Sequence, residues 1–254
     1  MAVAITELLA EIDRLLEPSG FEDYCVNGLQ VPGPRQVDRI ATGVSAHAEL
    51  FELAAAEGVD LLIVHHGLFW GGGTAAVGPV LKRRLQILFD ADIALAAYHL
   101  PLDAHPGLGN NALLASLLGG VELTPFAVHR GRAIGFLAVL PGSGLTVQEL
   151  IARAGEVTAR EPLAFEAGVE RVRRIAVVSG AGGDHLEEAA AAGADALMTG
   201  EVEERTMALA RELGMNVIAA GHYATETFGV RRLGEHLADR FGLDHVFLDV
   251  PNPV

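Results

Sequence analysis

Short apolar runs alternate with amphipathic stretches along most of the chain, and this order constrains the fold more than any other feature. Eight apolar runs predict strands over 39–44, 60–65, 92–98, 133–140, 173–178, 194–199, 215–220 and 245–250. Helical spacing predicts helices over 5–16, 46–57, 79–90, 110–118, 146–154, 184–192, 202–213 and 228–241. Continuous apolar runs are typical of strands covered on both faces. The sequence therefore predicts an α/β fold with mixed, mainly parallel sheets flanked by helices.

The domain organisation is predicted from the less regular parts of the chain. Residues 27–34 are dense in turn-forming residues and predict a loop. The segment 125–170 is the least regular, which favours it as the joint between two similar α/β lobes. We place these lobes at 1–125 and 126–254.

A self-comparison indicates an internal duplication. The segment that begins at Arg39 aligns without a gap, at an offset of 135, on the segment that begins at Arg174. The same spacing of a histidine and a carboxylate also occurs twice. Three residues separate His99 from Asp103, and three separate His222 from Glu226. The alternative is that strand–helix–strand units resemble one another through recurring Ala, Gly and Ile.

Composition and charge exclude several classes of protein. Half of the residues are hydrophobic and a fifth are charged, which excludes disorder. The formal net charge of −15, without a block of Lys or Arg, argues against nucleic-acid binding. No stretch has the roughly 20 apolar residues that a bilayer requires, and the start lacks a basic signal-peptide region. One cysteine, Cys25, predicts a reducing cytoplasmic location.

Polar side chains follow several predicted strands at their carboxyl ends, where open α/β sheets bind ligands. His65 and His66 come directly after an apolar run. Further candidates near the ends of later strands are Asp103, Glu201, His222 and Glu226. Imidazole and carboxylate groups suit zinc, iron or manganese. The sequence therefore predicts a divalent-metal site, in which a bridging carboxylate would hold two ions about 3.5–4 Å apart.

Each histidine also has a structural interpretation as a hydrogen-bonded or surface group. Successive strand residues point to opposite faces, so His65 and His66 are expected to share a site only through irregular backbone, which Gly67 permits. His105 is close enough to Asp103 to orient it. The histidines predicted to be helix or loop surface residues are His47, His105, His129, His185, His236 and His245.

Two other features compete for a functional role. Ser179-Gly-Ala-Gly-Gly-Asp184 lies between a strand and a helix, as phosphate-binding loops do, but it lacks both common glycine motifs. We interpret it as a glycine turn in which Asp184 caps the next helix. Cys25 has no thiolate-stabilising residues around it and is predicted to be an inert buried residue.

In combination and order, the motifs resemble those of the dinuclear metal-center proteins, also called GTP cyclohydrolase I type 2 homologues or NGG-one-interacting factor three-like proteins. The resemblance rests on Asn27-Gly-Leu-Gln30, His65-His-Gly67, Leu102-Asp103, Thr199-Gly-Glu201, Gly221-His-Tyr-Ala-Thr-Glu226 and Asp249-Val-Pro-Asn-Pro253. It covers essentially the whole chain. It implies two similar lobes, two divalent ions per chain in a cleft, and a toroidal homohexamer built as a dimer of trimers.

The resemblance also implies roles for individual residues. The metal ligands it assigns are His65, His66, Asp103, His222 and Glu226, with Glu226 as the bridging ligand. Many relatives have Thr-Asn where this chain has Leu100-Pro101, so different hydrogen bonds around Asp103 are expected. Many also have histidines soon after Thr-Gly-Glu, and their absence here argues against a third metal. Longer relatives carry a mid-chain domain for which 254 residues leave no room.

The leading functional interpretation is a metal-dependent hydrolase in which activated water attacks a polar substrate. His99 and Glu201 are candidates for proton transfer or for orienting a ligand. The family name suggests a nucleotide or pterin-like substrate, and a phosphoesterase is the alternative within this class. The alternative from another class is a metal-binding or nucleic-acid-associated hexameric ring without turnover, because fold does not determine function.

Overall fold

The computed structural model describes residues 2–71 and 76–254 and divides the chain into two compact units. Unit 1 comprises Met1–Leu102 and Gly229–Val250, and unit 2 comprises Asp103–Phe228 and Pro251–Val254. The division into lobes at 1–125 and 126–254, made from the sequence, remains a prediction. Within the described ranges, no helix is long and apolar enough to cross a bilayer.

Fifteen strands are found in the described residues. They are β1 Val3–Ala4, β2 Gly28–Val31, β3 Gln36–Val37, β4 Arg39–Ser45, β5 Leu61–His66, β6 Ala94–Ala97, β7 Val121–His129, β8 Arg132–Val139, β9 Leu145–Thr146, β10 Leu163–Glu166, β11 Arg171–Val172, β12 Arg174–Val178, β13 Ala196–Thr199, β14 Asn216–Ala219 and β15 Asp244–Phe247. All eight predicted strands are present, so the mixed α/β fold is confirmed.

Ten α-helices are found over the same ranges. They are α1 Ile5–Leu16, α2 Ala48–Ala56, α3 Pro79–Asp90, α4 Leu100–Ala104, α5 Asn110–Leu117, α6 Val147–Thr158, α7 Leu186–Ala191, α8 Glu204–Leu213, α9 His222–Thr225 and α10 Thr227–Phe241. Short 3-10 turns cover Pro18–Gly20 and Gly182–His185.

Unit 1 is built on a five-stranded sheet in the order β15-β4-β5-β6-β2. Strands β15, β4, β5 and β6 run parallel, and β2 pairs antiparallel with β6 at the edge. The first four residues of β5 are fully buried, which explains their continuous apolar sequence. Parallel strands bring their carboxyl ends to one edge, so β5 and β6 deliver the residues that follow them to neighbouring positions.

Unit 2 is built on a six-stranded sheet in the order β10-β14-β13-β12-β8-β7. Its centre, β12 to β14, is parallel, and antiparallel strands extend it on both sides. Strands β7 and β8 form a hairpin whose turn residues, Arg130 and Gly131, both have positive φ. Each unit has its own core of buried aliphatic side chains.

The predicted loop over 27–34 is wrong in its centre, because β2 Gly28–Val31 joins the first sheet. Its pairing with β6 shifts register between Leu29 and Val31, as in a β-bulge. Gly28 has φ +98°, which a residue with a side chain rarely adopts. Turn-forming residues are therefore compatible with this short, irregular edge strand.

Candidate metal centre

In unit 1, β5 ends in two histidines whose rings lie side by side. His65 and His66 have ring centroids 4.8 Å apart. The strand stays paired through His66, which lies opposite Ser45, so the irregular backbone expected at Gly67 is not what brings the rings together. Gly67 has another role, because a Cβ there would overlap the side-chain amide of Gln30.

Both of these imidazoles are hydrogen-bonded through Nδ1. His65 is fully buried, and its Nδ1 lies 3.1 Å from the carbonyl oxygen of Tyr98. Because a carbonyl only accepts, the proton of neutral His65 is on Nδ1 and the lone pair is on Nε2. The Nδ1 of His66 lies 3.0 Å from the hydroxyl of Ser45. Such partners orient metal-ligating histidines in other proteins.

His99 lies beside this pair, just after β6. Its ring centroid is 4.9 Å from that of His65 and 5.5 Å from that of His66. One ring nitrogen from each of the three histidines lies within 4.8 Å of the others, a spacing that allows them to hold a metal ion. The backbone N–H of His99 donates to Oδ1 of Asn27 at 2.8 Å, so the loop before β2 helps to fix its position.

Asp23 orients His99, a role that no pattern in the sequence indicates. The Nδ1 of His99 lies 2.8 Å from Oδ1 of Asp23. The same carboxylate accepts from the N–H groups of Cys25 and Leu100, each at 3.0 Å, and from the Asn27 amide at 2.8 Å. Burial alone would raise the pKa of Asp23, but the hydrogen bond and charge of His99, with the other donors, hold it at about 2.

In unit 2, Asp103 is a buried carboxylate on α4. Its Oδ1 accepts from the side-chain amide of Asn110 at 2.8 Å and from the hydroxyl of Ser179 at 3.3 Å. Asn111 supports the same region, because its Oδ1 accepts from the backbone N–H of Ser179 at 2.6 Å. Asn110 and Ser179 therefore donate hydrogen bonds to Asp103 in a chain that has Leu100-Pro101 in place of the polar Thr-Asn pair.

His222 and Glu226 are the other two predicted metal ligands in unit 2. The Nε2 of His222 lies 3.2 Å from Oε2 of Glu226, and its Nδ1 lies 3.1 Å from Oε1 of Glu201. Burial would lower the pKa of His222, but the two carboxylates raise it to about 9. An oxygen of Glu226 also lies within 4.8 Å of an oxygen of Asp103. Glu226 is therefore close to both other predicted ligands of unit 2.

The glycine loop after β12 makes room for these groups. Gly180 has φ +61°, and a Cβ there would overlap Oε1 of Glu226 and lie 3.1 Å from Nε2 of His222. Its carbonyl accepts from the N–H groups of Gly200 and Glu201, both at 2.9 Å. The predicted cap is wrong, because Asp184 lies inside the 3-10 turn Gly182–His185, and its carboxylate accepts from Arg205.

Several of the remaining histidines have local structural contacts. His47 caps α2 by accepting the N–H of Leu50, and Nδ1 of His105 accepts the N–H groups of Gly107 and Leu108. Side-chain partners of the others are Glu188 for His185, Glu11 for His236 and Thr42 for His245. Cys25 is buried as predicted, and burial raises the pKa of its thiol to about 11.

The donors of both units fit divalent metal ions. Unit 1 offers imidazole nitrogens, and unit 2 offers one imidazole with the carboxylates of Asp103 and Glu226. These are the nitrogen and oxygen donors found in zinc, iron and manganese sites. His222 must lose its proton to bind a metal, so binding there would release a proton.

Fold and donor chemistry together define a class of two-unit α/β proteins with histidine and carboxylate clusters at the ends of parallel strands. The chain belongs to the DUF34/NIF3 (NGG1p interacting factor 3) family, whose model matches residues 3–253.

Relatives of known sequence or structure match the chain over nearly its full length. A GTP cyclohydrolase 1 type 2 homolog of Pseudomonas aeruginosa is 44% identical over 253 residues, covering 100% of both chains. A protein of the same name from Escherichia coli K12 is 44% identical, covering 98% of each chain. The crystal structure of TTHA1606 from Thermus thermophilus is 41% identical, with a TM-score of 0.92, covering 99% of this chain and 100% of that one.

Proposed function

We propose that this protein binds two divalent metal ions per chain and is a metal-dependent hydrolase that acts on a nucleotide or a pterin-like compound. The proposed ligands are His65, His66, Asp103, His222 and Glu226. The name of its relatives, GTP cyclohydrolase 1 type 2 homolog, motivates the substrate class. When bound, divalent ions supply Lewis acidity and activate water for attack on an ester, a phosphate or a ring carbon.

The observation that carries the proposal is that the donors are held in place by other groups. His65 is fixed by the carbonyl of Tyr98, His222 by Glu201, and Asp103 by Asn110 and Ser179. Buried carboxylates are costly to keep charged without compensating partners. A bound cation would compensate Asp103 and Glu226, which are 5% and 3% exposed.

The roles of the chain's own residues follow from these contacts. Glu201 accepts a hydrogen bond from His222 and thereby directs the other ring nitrogen toward Glu226. Gly180 keeps the space beside both groups open. Glu201 has a side chain that is 41% exposed, so it is the carboxylate with access to a proton from solvent.

Metal content measured by elemental analysis tests the metal site. We expect about two divalent ions per reconstituted chain, and a large loss of metal in each of His65→Ala, Asp103→Ala and Glu226→Gln. His185→Ala is the matched control, because His185 contacts Glu188 and is none of the proposed ligands. Near-zero metal in the wild type, or equal loss in the control, would contradict the assignment.

Turnover is tested separately from metal binding. The metal-reconstituted protein is incubated with nucleotides, cyclic phosphates and pterin precursors, with Glu226→Gln as the blank. We expect metal-dependent hydrolysis of one compound in the wild type alone. Metal binding without turnover of any of these compounds would support the alternative function, a hexameric ring that binds metal but has no catalytic activity. If the protein also binds single-stranded nucleic acid with an affinity that falls steeply as salt is added, that ring would be a nucleic-acid-binding one.

A further inference from the structure

We propose that Trp70 is the residue on which the planar ring of the substrate stacks, so that a nucleobase or a pterin is held beside the histidines of unit 1. The proposal rests on the proposed function for the class of substrate and adds the residue that recognises it. The chemistry shared by both compounds is a flat heteroaromatic ring. Aromatic side chains bind such rings through the π-face, whatever polar groups the ring carries at its edge.

The surroundings of Trp70 are unusual for a tryptophan. It is the only tryptophan of the chain, and it is 39% exposed although this residue type is highly buried on average. The segment with which its backbone pairs also exposes Tyr24 and Val26. Exposed apolar side chains that cluster beside a few polar groups are typical of ligand-binding sites.

The orientation of the indole leaves room for a flat ligand. Its ring centroid is 5.2 Å from that of His99 and 5.9 Å from that of His66. The interplanar angles are 73° and 46°, so the rings are tilted and not stacked. Because an edge-to-face pair covers the face of only one ring, and only on one side, the contact with His99 leaves at least one indole face available.

The indole is held in place before any ligand binds. Its Nε1–H donates to the carbonyl of Gly67 at 2.9 Å, and the backbone of Trp70 forms an antiparallel bridge with Cys25. The N–H of Val26 donates to the carbonyl of Phe69 at 3.0 Å, which continues this pairing. A side chain that is already fixed loses little conformational entropy when a ligand stacks on it.

One carboxylate connects this pairing with His99. Oδ1 of Asp23 accepts the N–H of Cys25 at 3.0 Å and lies 2.8 Å from Nδ1 of His99. The segment paired with Trp70 and the neighbouring imidazole are therefore positioned by the same group. A ring stacked on Trp70 would be held at a defined place next to the candidate metal centre.

The fluorescence of Trp70 tests the proposal directly, because no other tryptophan contributes to the signal. Guanosine 5′-monophosphate and 6-hydroxymethylpterin are titrated separately, with ribose 5-phosphate as the control that lacks the ring. We expect saturable quenching by at least one of the two ring compounds and none by ribose 5-phosphate. The compound that binds more tightly identifies the source of the ring.

Variants of Trp70 test whether stacking provides the affinity, which calorimetry measures without the indole signal. Trp70→Leu should weaken binding of the ring compound by about 5- to 100-fold, the range for loss of one base–aromatic stack. Trp70→Phe, which keeps a flat ring, should recover most of that loss. Phe89→Ala is the matched control, because Phe89 is an exposed aromatic residue in the last turn of α3, and it should leave the affinity unchanged.

Equal affinity in Trp70→Leu and the wild type, or no binding of either ring compound to the wild type, would overturn the inference. So would Trp70 emission that changes only as the protein dissociates on dilution, because a second copy of the chain would then cover the indole. Normal metal content and turnover with equal affinity in Trp70→Leu would overturn this inference alone. Ring binding through Trp70 in a protein that takes up no metal would overturn the proposed function alone.

Discussion

At the scale of single residues, Gly180 is constrained both by its backbone conformation and by the side chains of the candidate site. Its φ of +61° is unfavourable for any residue with a Cβ, and the space that a Cβ would take is occupied by the carboxylate of Glu226. The two constraints can be separated experimentally, because Gly214 has nearly the same φ, +63°, with nothing within 4 Å of the position of its Cβ.

We expect Gly180→Ala and Gly214→Ala each to lose about 1–2 kcal/mol of unfolding free energy, the cost of a left-handed residue. Only Gly180→Ala should also weaken metal binding, by about tenfold or more, because it displaces Glu226. Urea denaturation measures the first effect and metal titration the second. Equal metal affinity in the two variants would show that Glu226 is not a ligand.

The residue types of this candidate site were predictable, but the groups that orient them were not. His65, His66 and Glu226 stand in recognisable motifs at strand ends. Asp23 contacts His99 from 76 positions away in the chain, and Ser179 reaches Asp103 across the same separation. Contacts of this range depend on the completed fold, so no local pattern indicates them.

At the scale of elements, the internal duplication has a counterpart in backbone hydrogen bonding. One carboxylate oxygen of Asp60 accepts the N–H groups of Asp38 and Arg39 at 2.8 and 3.0 Å. One carboxylate oxygen of Asp195, 135 residues on, accepts those of Arg173 and Arg174 at the same two distances. Each aspartate also follows a helix after which the chain turns at a glycine of positive φ, Gly58 after α2 and Gly193 after α7. This agreement supports duplication over chance similarity.

Each aspartate joins the start of one parallel strand to the start of the next. We expect Asp60→Ala and Asp195→Ala each to reduce the unfolding free energy by about 1.5–3 kcal/mol, the range for hydrogen bonds to a charged group. Asp239→Ala on the exposed face of α10 is the control and should change stability little. A loss in only one of the two variants would contradict equivalent roles.

Helices α1 and α10 are joined through the buried carboxylate of Glu11. It accepts from Arg14 at 2.8 and 2.9 Å and lies 3.1 Å from Nε of Arg240 and 3.3 Å from Nε2 of His236. The hydrogen bond from Arg14 is the main reason that the pKa of Glu11 falls from 4.5 to about 2, against the opposing effect of burial.

A depressed pKa stabilises the fold above the pKa of the unfolded chain, and that stabilisation is lost as the pH falls toward 2. Glu11→Gln should therefore be less stable than the wild type near pH 7, by about 1–2 kcal/mol after allowance for solvent screening of the exposed guanidinium groups. Urea denaturation between pH 7 and pH 3 should show this difference narrowing below about pH 4.5. A difference independent of pH would contradict the charge-based explanation.

Apolar runs predicted the central strands well, and the misses have physical causes. The run over 39–44 corresponds to β4 Arg39–Ser45. Strand β7 Val121–His129 was missed because its pattern is broken by two residues of positive φ, Glu122 and Ala127, and by a register shift. Strand β2 was missed because turn-forming residues dominate it. Edge strands with bulges do not show the alternation on which prediction relies.

At the scale of the whole molecule, the assembly is a prediction from the family resemblance. Six chains of 26.7 kDa would give a ring of about 160 kDa, with the closed symmetry common in homo-oligomers. Sedimentation velocity at several protein concentrations should show this species. A monomer or dimer at all concentrations would contradict the hexamer without affecting the assignment of either metal-ligand set.

The unequal donor chemistry of the two units bears on how the protein selects among metals. Unit 1 offers imidazoles, which favour zinc, nickel and copper, whereas the carboxylates of unit 2 are hard donors that also suit manganese and magnesium. The affinity of a given site for these divalent ions generally follows the Irving–Williams order. On the proposed metal function, donors of both kinds suit more than one element, so the metal composition of the purified protein is expected to follow the supply of each element around it.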